Sequence, residues 1–171
     1  YTEINYLIKL LETPMLKNRV KTVVDTAKLR SIIEITEEDA KIIKAFETTG
    51  YDGTPATNHD VKAIEYFIKR KIKEMGMDEI LEYVHFALTS EDINNISYGL
   101  MIRDAVNNVV VPEILSIYGK LYKLAVEHKD LSMLARTHGQ PATPTTFGKE
   151  VLVFVNRMKE ELMQLGNIEI L

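Results

Sequence analysis

The 171 residues include no cysteine, which excludes a disulfide framework, a thiolate metal site and cysteine redox chemistry, and is compatible with a reducing cytosol. No apolar run approaches the roughly 18 to 20 residues that would span a bilayer. An excess of positive charge is also lacking: 21 Lys+Arg against 25 Asp+Glu leave a formal net charge of -4. Nothing electrostatic therefore favours nucleic acid or an anionic membrane as partner, and an acidic substrate would have to be met by local donors. There is no Gly-rich phosphate loop followed by Lys, no His pair at i and i+4, and no Cys or carboxylate cluster at metal-ligand spacing. Neither a metal nor a cofactor is expected. Tyr1-Thr2-Glu3-Ile4 offers no initiating Met, basic n-region or apolar h-region, so no secretory signal is read. Sustained strand alternation, internal repeats and low-complexity tracts are absent as well.

What remains is a chain that is 46% hydrophobic and 27% charged, the balance of a soluble globular protein. Its apolar residues recur at helical spacing. Leu7, Leu10 and Leu11 form a first run that Pro14 interrupts, and Val20, Val23, Val24 and Ala27 predict a second helix running toward Ile33. Thr36-Glu37-Glu38-Asp39 reads as an N-cap with an acidic first turn, opening a helix through Ile42, Ile43 and Phe46 that should end near Gly50. Asn58 is then expected to cap a helix through Val61, Ile64, Phe67 and Ile72, with His59 in its first turn and Gly76 as its stop.

After a short amphipathic piece from Met77 to Ala87, Glu91 to Lys129 carries only Pro112 as punctuation. This predicts one very long helix, or two stacked ones with Pro112 opening the second. Leu131 to Pro144, with Gly139 and two prolines, reads as a structured loop or short extended stretch. Phe147, Val151, Phe154, Met158, Leu162 and Leu165 then give the seam of a bundle helix. The expected fold class is all-α, with an N-terminal helical domain over residues 1–88 and the first long helices of a central bundle over residues 89–171. Those bundle helices lack a full set of neighbours, so other copies or further chain should cover them. Both ends look cut rather than begun or finished, and a fragment of a longer polypeptide is expected.

Three polar islands interrupt this scaffold: Asn58-His59-Asp60, Thr89-Ser90-Glu91-Asp92, and Arg136-Thr137-His138-Gly139-Gln140-Pro141-Ala142-Thr143-Pro144. His138 is the first candidate for proton transfer, because imidazole both gives and takes a proton near neutrality. Thr137 and Gln140 can orient an imidazole or grip a carboxylate, Gly139 lets backbone approach closely, and the prolines lower loop entropy. A loop histidine bonded to backbone is the plainer alternative. Asn58, His59 and Asp60 can be simple capping, or His59 and the free amides of that turn can face an anion. Thr89 with Asp92 resembles a capping pair. His85 and His128 stand alone on predicted helices and are assigned packing or surface roles.

Taken together and in this order, Thr57-Asn58-His59-Asp60-Val61-Lys62, Thr89-Ser90-Glu91-Asp92-Ile93-Asn94-Asn95 and Arg136 to Pro144 resemble the adenylosuccinate lyases of the fumarase/aspartase superfamily. The resemblance extends over Glu65-Tyr66-Phe67 and Gly148-Lys149-Glu150 and covers nearly all of the chain from about Ala40 onward. It implies a C–N β-elimination that releases fumarate from adenylosuccinate, leaving AMP, and from the succinylaminoimidazole-carboxamide ribotide of purine synthesis. By the same resemblance His138 is the general acid, and Asn58, His59 and Asp60 lie in the substrate-binding wall. Thr89 and Ser90 donate to a succinyl carboxylate, with Thr137 and Gln140 as further binding residues. The family implies a cytoplasmic homotetramer whose active sites are shared among subunits. The family's mobile loop with its catalytic serine has no counterpart here, so the 171 residues alone are expected to be inactive. The rival readings are another lyase of the superfamily and a helical interaction module without catalysis.

Overall fold

In the first helix, α1 (Thr2–Leu11), residues 3, 4, 7, 8 and 11 are buried, a stripe at the helical period that faces the core of the N-terminal half. A computed structural model describes residues 1–170, and Leu171 lies outside that range. The described residues divide into two compact units, one over Tyr1–Tyr98 and one from Gly99 onward, with the division inside a helix.

In the first unit, α2 (Pro14–Lys17) starts with its proline in the first turn, where a missing amide proton costs nothing. The second helix expected from Val20 toward Ile33 is only partly formed. Residues 18–25 are not helical, and α3 occupies Thr26–Ser31. Asp25 is the reason for the late start. Its carboxylate accepts from the amides of Ala27 and Lys28, fixing the N-terminus there and leaving Val23 89% exposed. The irregular segment before it is held by Glu79, which accepts from the amides of Lys21 and Thr22 and from the Thr22 hydroxyl.

Helix α4 (Glu37–Thr48) opens on the expected cap, and the cap is reciprocal. The Asp39 amide donates to Thr36 Oγ1 at 3.1 Å, and the Thr36 amide donates to Asp39 Oδ2 at 3.1 Å. Helix α5 (Asp60–Glu74) packs on α4 and brings Lys71 Nζ to 2.7 Å from Asp39 Oδ1. Hydrogen bonding to Lys71, then to the Thr36 hydroxyl and amide, holds the Asp39 carboxyl down to about 2. Glu65 is also buried on α5. Burial works against its charge, but the ammonium groups of Lys62 at 2.7 Å and Lys69 at 2.9 Å keep its carboxyl below the ordinary range. A 3-10 turn over Asp78–Tyr83 closes the core with Ile80.

From Ser90 to Glu127 the backbone is helical throughout, the first of the two expected arrangements, broken in period by one π turn just before Pro112. Helix α6 (Ser90–Ala105) passes through a π turn at Val106–Val110 into α7 (Val111–Glu127), with Pro112 in the first turn of α7. The stretch read as a loop is instead a two-stranded antiparallel hairpin, β1 (Ser132–Thr137) and β2 (Gln140–Thr146). Alternation could not reveal it, because Pro141 and Pro144 occupy β2 and none of its residues is buried. A hairpin of two strands has an open edge on each, where proline is tolerated.

Helix α8 (Phe147–Gly166) packs against α7. Its inner seam differs from the expected one: Gly148 and Val155 are buried, Val151, Met158, Leu162 and Leu165 are half-buried, and Phe154 is 60% exposed. The crossing is close because position 148 has no side chain. A Cβ there would lie 2.3 Å from the Ala125 carbonyl oxygen and 2.7 Å from Lys129 backbone, and the Gly148 amide donates to the His128 carbonyl at 3.0 Å. No helix among the described residues is long and apolar enough to cross a membrane.

Two outcomes follow for stability. Gly148→Ala forces α7 and α8 apart at a backbone contact, and denaturant unfolding should show a loss of about 1–3 kcal/mol. Because the folded-state value for Asp39 lies below the ordinary carboxylate value of about 3.9, its contribution is complete above pH 4 and is lost as the pH falls toward 2. Asp39→Asn should therefore flatten the pH dependence of unfolding free energy in that window and leave its shape above pH 5 unchanged.

Candidate active site

The first island is anchored to the end of α4. The Thr57 amide donates to the Phe46 carbonyl and the Asn58 amide to the Glu47 carbonyl, each at 2.9 Å. Asn58 takes φ +48, a left-handed conformation that asparagine tolerates better than most residues. This conformation moves the cap one residue along. His59, not Asn58, is the N-cap of α5, with φ -154 and ψ 120, and its Nδ1 accepts from the Lys62 amide at a long 3.5 Å. Asp60 occupies the first helical position, with Oδ1 2.7 Å from the Val61 amide and 3.3 Å from His59 Nδ1.

The second island meets the first. Ser90 Oγ lies 3.2 Å from His59 Nε2, so the starts of α5 and α6 adjoin. The direction of that bond is set by the ring tautomer, and at Nδ1 the Lys62 amide at 3.5 Å competes with Asp60 Oδ1 at 3.3 Å. Thr89 is committed elsewhere: its amide donates to Asp92 Oδ2 at 2.7 Å and its hydroxyl to the same oxygen at 3.0 Å. Those bonds from Thr89, the amide first, hold the Asp92 carboxyl below the ordinary range. Side chains of the islands already take the Val61 and Lys62 amides of α5, so an imidazole and a serine hydroxyl where two helix starts adjoin are what can meet a carboxylate or phosphate oxygen.

The third island forms the tip of the hairpin. Thr137 pairs with Gln140, leaving His138 and Gly139 as a two-residue turn with φ +51 and +76. Both central residues of a type I′ turn need positive φ, which explains the glycine. Arg136 Nη1 donates to the Gly139 carbonyl at 3.4 Å and closes the turn, a role the sequence did not single out. Three steps of β2 match two of β1 where the register shifts between Leu134 and Arg136, a bulge that bends the hairpin. The imidazole of His138 is exposed at the tip, with Thr137 and Gln140 flanking it. Asn58, His59, Asp60, Thr89 and Ser90 thus form one cluster in the first unit, and Thr137, His138 and Gln140 form another in the second.

His85 is not on a helix as expected. It takes φ +61 in the turn before α6, and its ring pairs with Glu3. His128 follows the last residue of α7 and packs edge-on against Phe147, with ring centroids 5.6 Å apart. Among the described residues no group of three or more His, Asp or Glu is arranged to hold a metal ion.

A family model described as a lyase matches residues 11–170. The chain belongs to that lyase family. Among curated proteins, the adenylosuccinate lyase of Escherichia coli K12 is 45% identical over 82% of this lyase chain and 29% of its own length. That of Legionella pneumophila strain Corby is 43% identical over 92% of the chain and 32% of its own length. The adenylosuccinate lyase of Dictyostelium discoideum is 45% identical over 95% and 35%. The chain thus spans about a third of the length of the relatives it matches.

Solved structures extend the likeness in fold. A fumarate lyase from Mesorhizobium sp. BNC1 superimposes with a TM-score of 0.70 at 20% identity, over 96% of this lyase chain and 35% of that one. The β-carboxy-cis,cis-muconate cycloisomerase of Acinetobacter calcoaceticus gives 0.69 at 17% identity, over 96% and 36%. At those identities they bear on the fold alone. They share this chain's helical architecture.

Proposed function

We propose that the full-length protein is an adenylosuccinate lyase, a carbon–nitrogen lyase of purine biosynthesis without a cofactor. It removes fumarate from adenylosuccinate, leaving AMP, and from the succinylaminoimidazole-carboxamide ribotide. The observation that carries this reading is identity of 43–45% with adenylosuccinate lyases over 82–95% of the chain. In the reaction a base takes a proton from the succinyl carbon beside a carboxylate, the C–N bond breaks, and the departing nitrogen receives a proton from an acid. His138 is the acid. Its exposed place on a tight two-residue turn lets the ring reach a ligand without rearranging a core. Thr137 and Gln140 flank the ring and bind the same ligand.

The cluster at the starts of α5 and α6 binds an anionic part of the substrate. Ser90 donates its hydroxyl to a succinyl carboxylate, Asn58, His59 and Asp60 form the adjoining wall, and Thr89 shapes the turn that presents Ser90. The residues from 1 to 88 act as the N-terminal domain and those from 89 on as the start of the central bundle. Exposed Met101, Ile102, Val109, Leu115 and Phe154 support a homotetramer, because large apolar side chains left in solvent on several helices need neighbouring helices to cover them. The site is shared among subunits, and the enzyme is cytoplasmic.

His138→Asn in the full-length protein separates chemistry from folding, since asparagine accepts the left-handed turn and cannot act as an acid near neutrality. Steady-state fumarate release should show kcat lowered by about 100-fold or more, the usual size of a lost general acid, with the thermal midpoint unchanged. A kcat equal to wild type would remove His138 from this role.

A further inference from the structure

We propose that the buried Glu3–His85 pair, together with Tyr6, positions the Ser90 end of α6, so that α1 controls how well the site holds a carboxylate. This rests on the reading of Ser90 given above. Glu3 lies within the apolar stripe of α1, between Tyr1 and the buried Ile4, Leu7 and Ile8, and is only 4% exposed. One carboxylate oxygen pairs with His85 Nδ1, and the other, Oε2, is buried without a partner among the described residues. A carboxylate is a poor choice for stability alone at such a position, because an apolar side chain avoids the desolvation of the ion. Its presence indicates that the pairing fixes a geometry.

The geometry is that of the turn leading to Ser90. His85 at φ +61 and Ala87 at φ +58 are both left-handed without being glycine, a combination that persists only where the surroundings over-determine it. Those surroundings are three side chains of α1. Glu3 holds the His85 ring, the Tyr6 hydroxyl donates to the Phe86 carbonyl at 2.9 Å, and Thr2 Oγ1 lies 3.1 Å from Ser97 Oγ within α6. Within the turn the local bonds are weak: the Phe86 amide to the Tyr83 carbonyl and the Leu88 amide to the His85 carbonyl, each at 3.3 Å. Without the pair, the turn relaxes toward ordinary backbone angles. Ser90 then shifts from His59, and its donor leaves the direction in which a ligand oxygen meets it.

The test uses the full-length protein and adenylosuccinate, with KM, kcat, thermal midpoint and amide exchange at residues 86–92 measured for each variant. Glu3→Leu should keep or raise the thermal midpoint, speed exchange at 86–92, and raise KM at least 10-fold with kcat changed less than threefold, the signature of lost uniform binding. His85→Asn keeps an N–H donor and a residue tolerant of positive φ, and should hold KM within threefold of wild type. Ser90→Ala should raise KM as Glu3→Leu does, and the double variant should be no worse than Ser90→Ala alone. If Ser90→Ala raises KM while Glu3→Leu leaves KM and exchange unchanged, the positioning role is wrong and the reading of Ser90 stands. If Ser90→Ala leaves KM unchanged, the reading of Ser90 fails and takes this inference with it. Should Glu3→Leu not fold, Glu3→Gln gives the same decision: faster exchange with raised KM supports the role, and wild-type values for both overturn it.

Discussion

Left-handed backbone at residues that are not glycine is the constraint on which the candidate site depends. Among the described residues Asp52, Asn58, His85, Ala87 and His138 have positive φ, and four of these five lie in a polar island or in the turn that leads into one. Each such residue is strained by roughly 1–2 kcal/mol relative to ordinary backbone. The strain is held by neighbours that can be named. Carbonyls at the end of α4 pin Thr57 and Asn58, the side chains of α1 brace the turn at His85 and Ala87, and strand pairing with the Arg136 bond closes the turn at His138. Helix starts and a hairpin tip thereby point polar groups outward from a scaffold that is otherwise ordinary core.

The two units differ in how self-sufficient they are. The first buries a continuous set of residues from Ile4 to Val84, drawn from five helices and a 3-10 turn. The second buries Gly148, Ala125 and Val155 at one close crossing and leaves apolar residues around much of α7 and α8 in solvent. The first unit thus has a core of its own, whereas the second leaves apolar surface of the kind that neighbouring helices cover. It also explains why α6, with a single buried residue, Ile93, shows no apolar stripe of its own.

Much of this was legible in the sequence because the signals were local. The capping box at Thr36 and Asp39, the proline opening α7 and the helical period of α1, α4 and α5 each act over four or fewer residues, and each appears where it was expected. The misreadings had several causes. Asp25, a local cap acting over three residues, started α3 late, the carbonyls at the end of α4 held Asn58 left-handed so that His59 took the cap, and the hairpin was hidden by the two prolines of β2. The adjacency of His59 and Ser90, 31 residues apart, follows from packing between helices and has no local sign. The same holds for Glu3 and His85, separated by 82 residues. In the seam of α8, a stepwise apolar pattern pointed to Phe154, whereas the absence of a side chain at Gly148 set the packing face.

The decisive measurement is fumarate release by the full-length protein offered adenylosuccinate, argininosuccinate, aspartate and malate in parallel. Efficient turnover of adenylosuccinate, with the other three at background, is the expected result. Turnover of argininosuccinate, aspartate or malate with adenylosuccinate left intact would contradict the assignment and place the enzyme with a different leaving group.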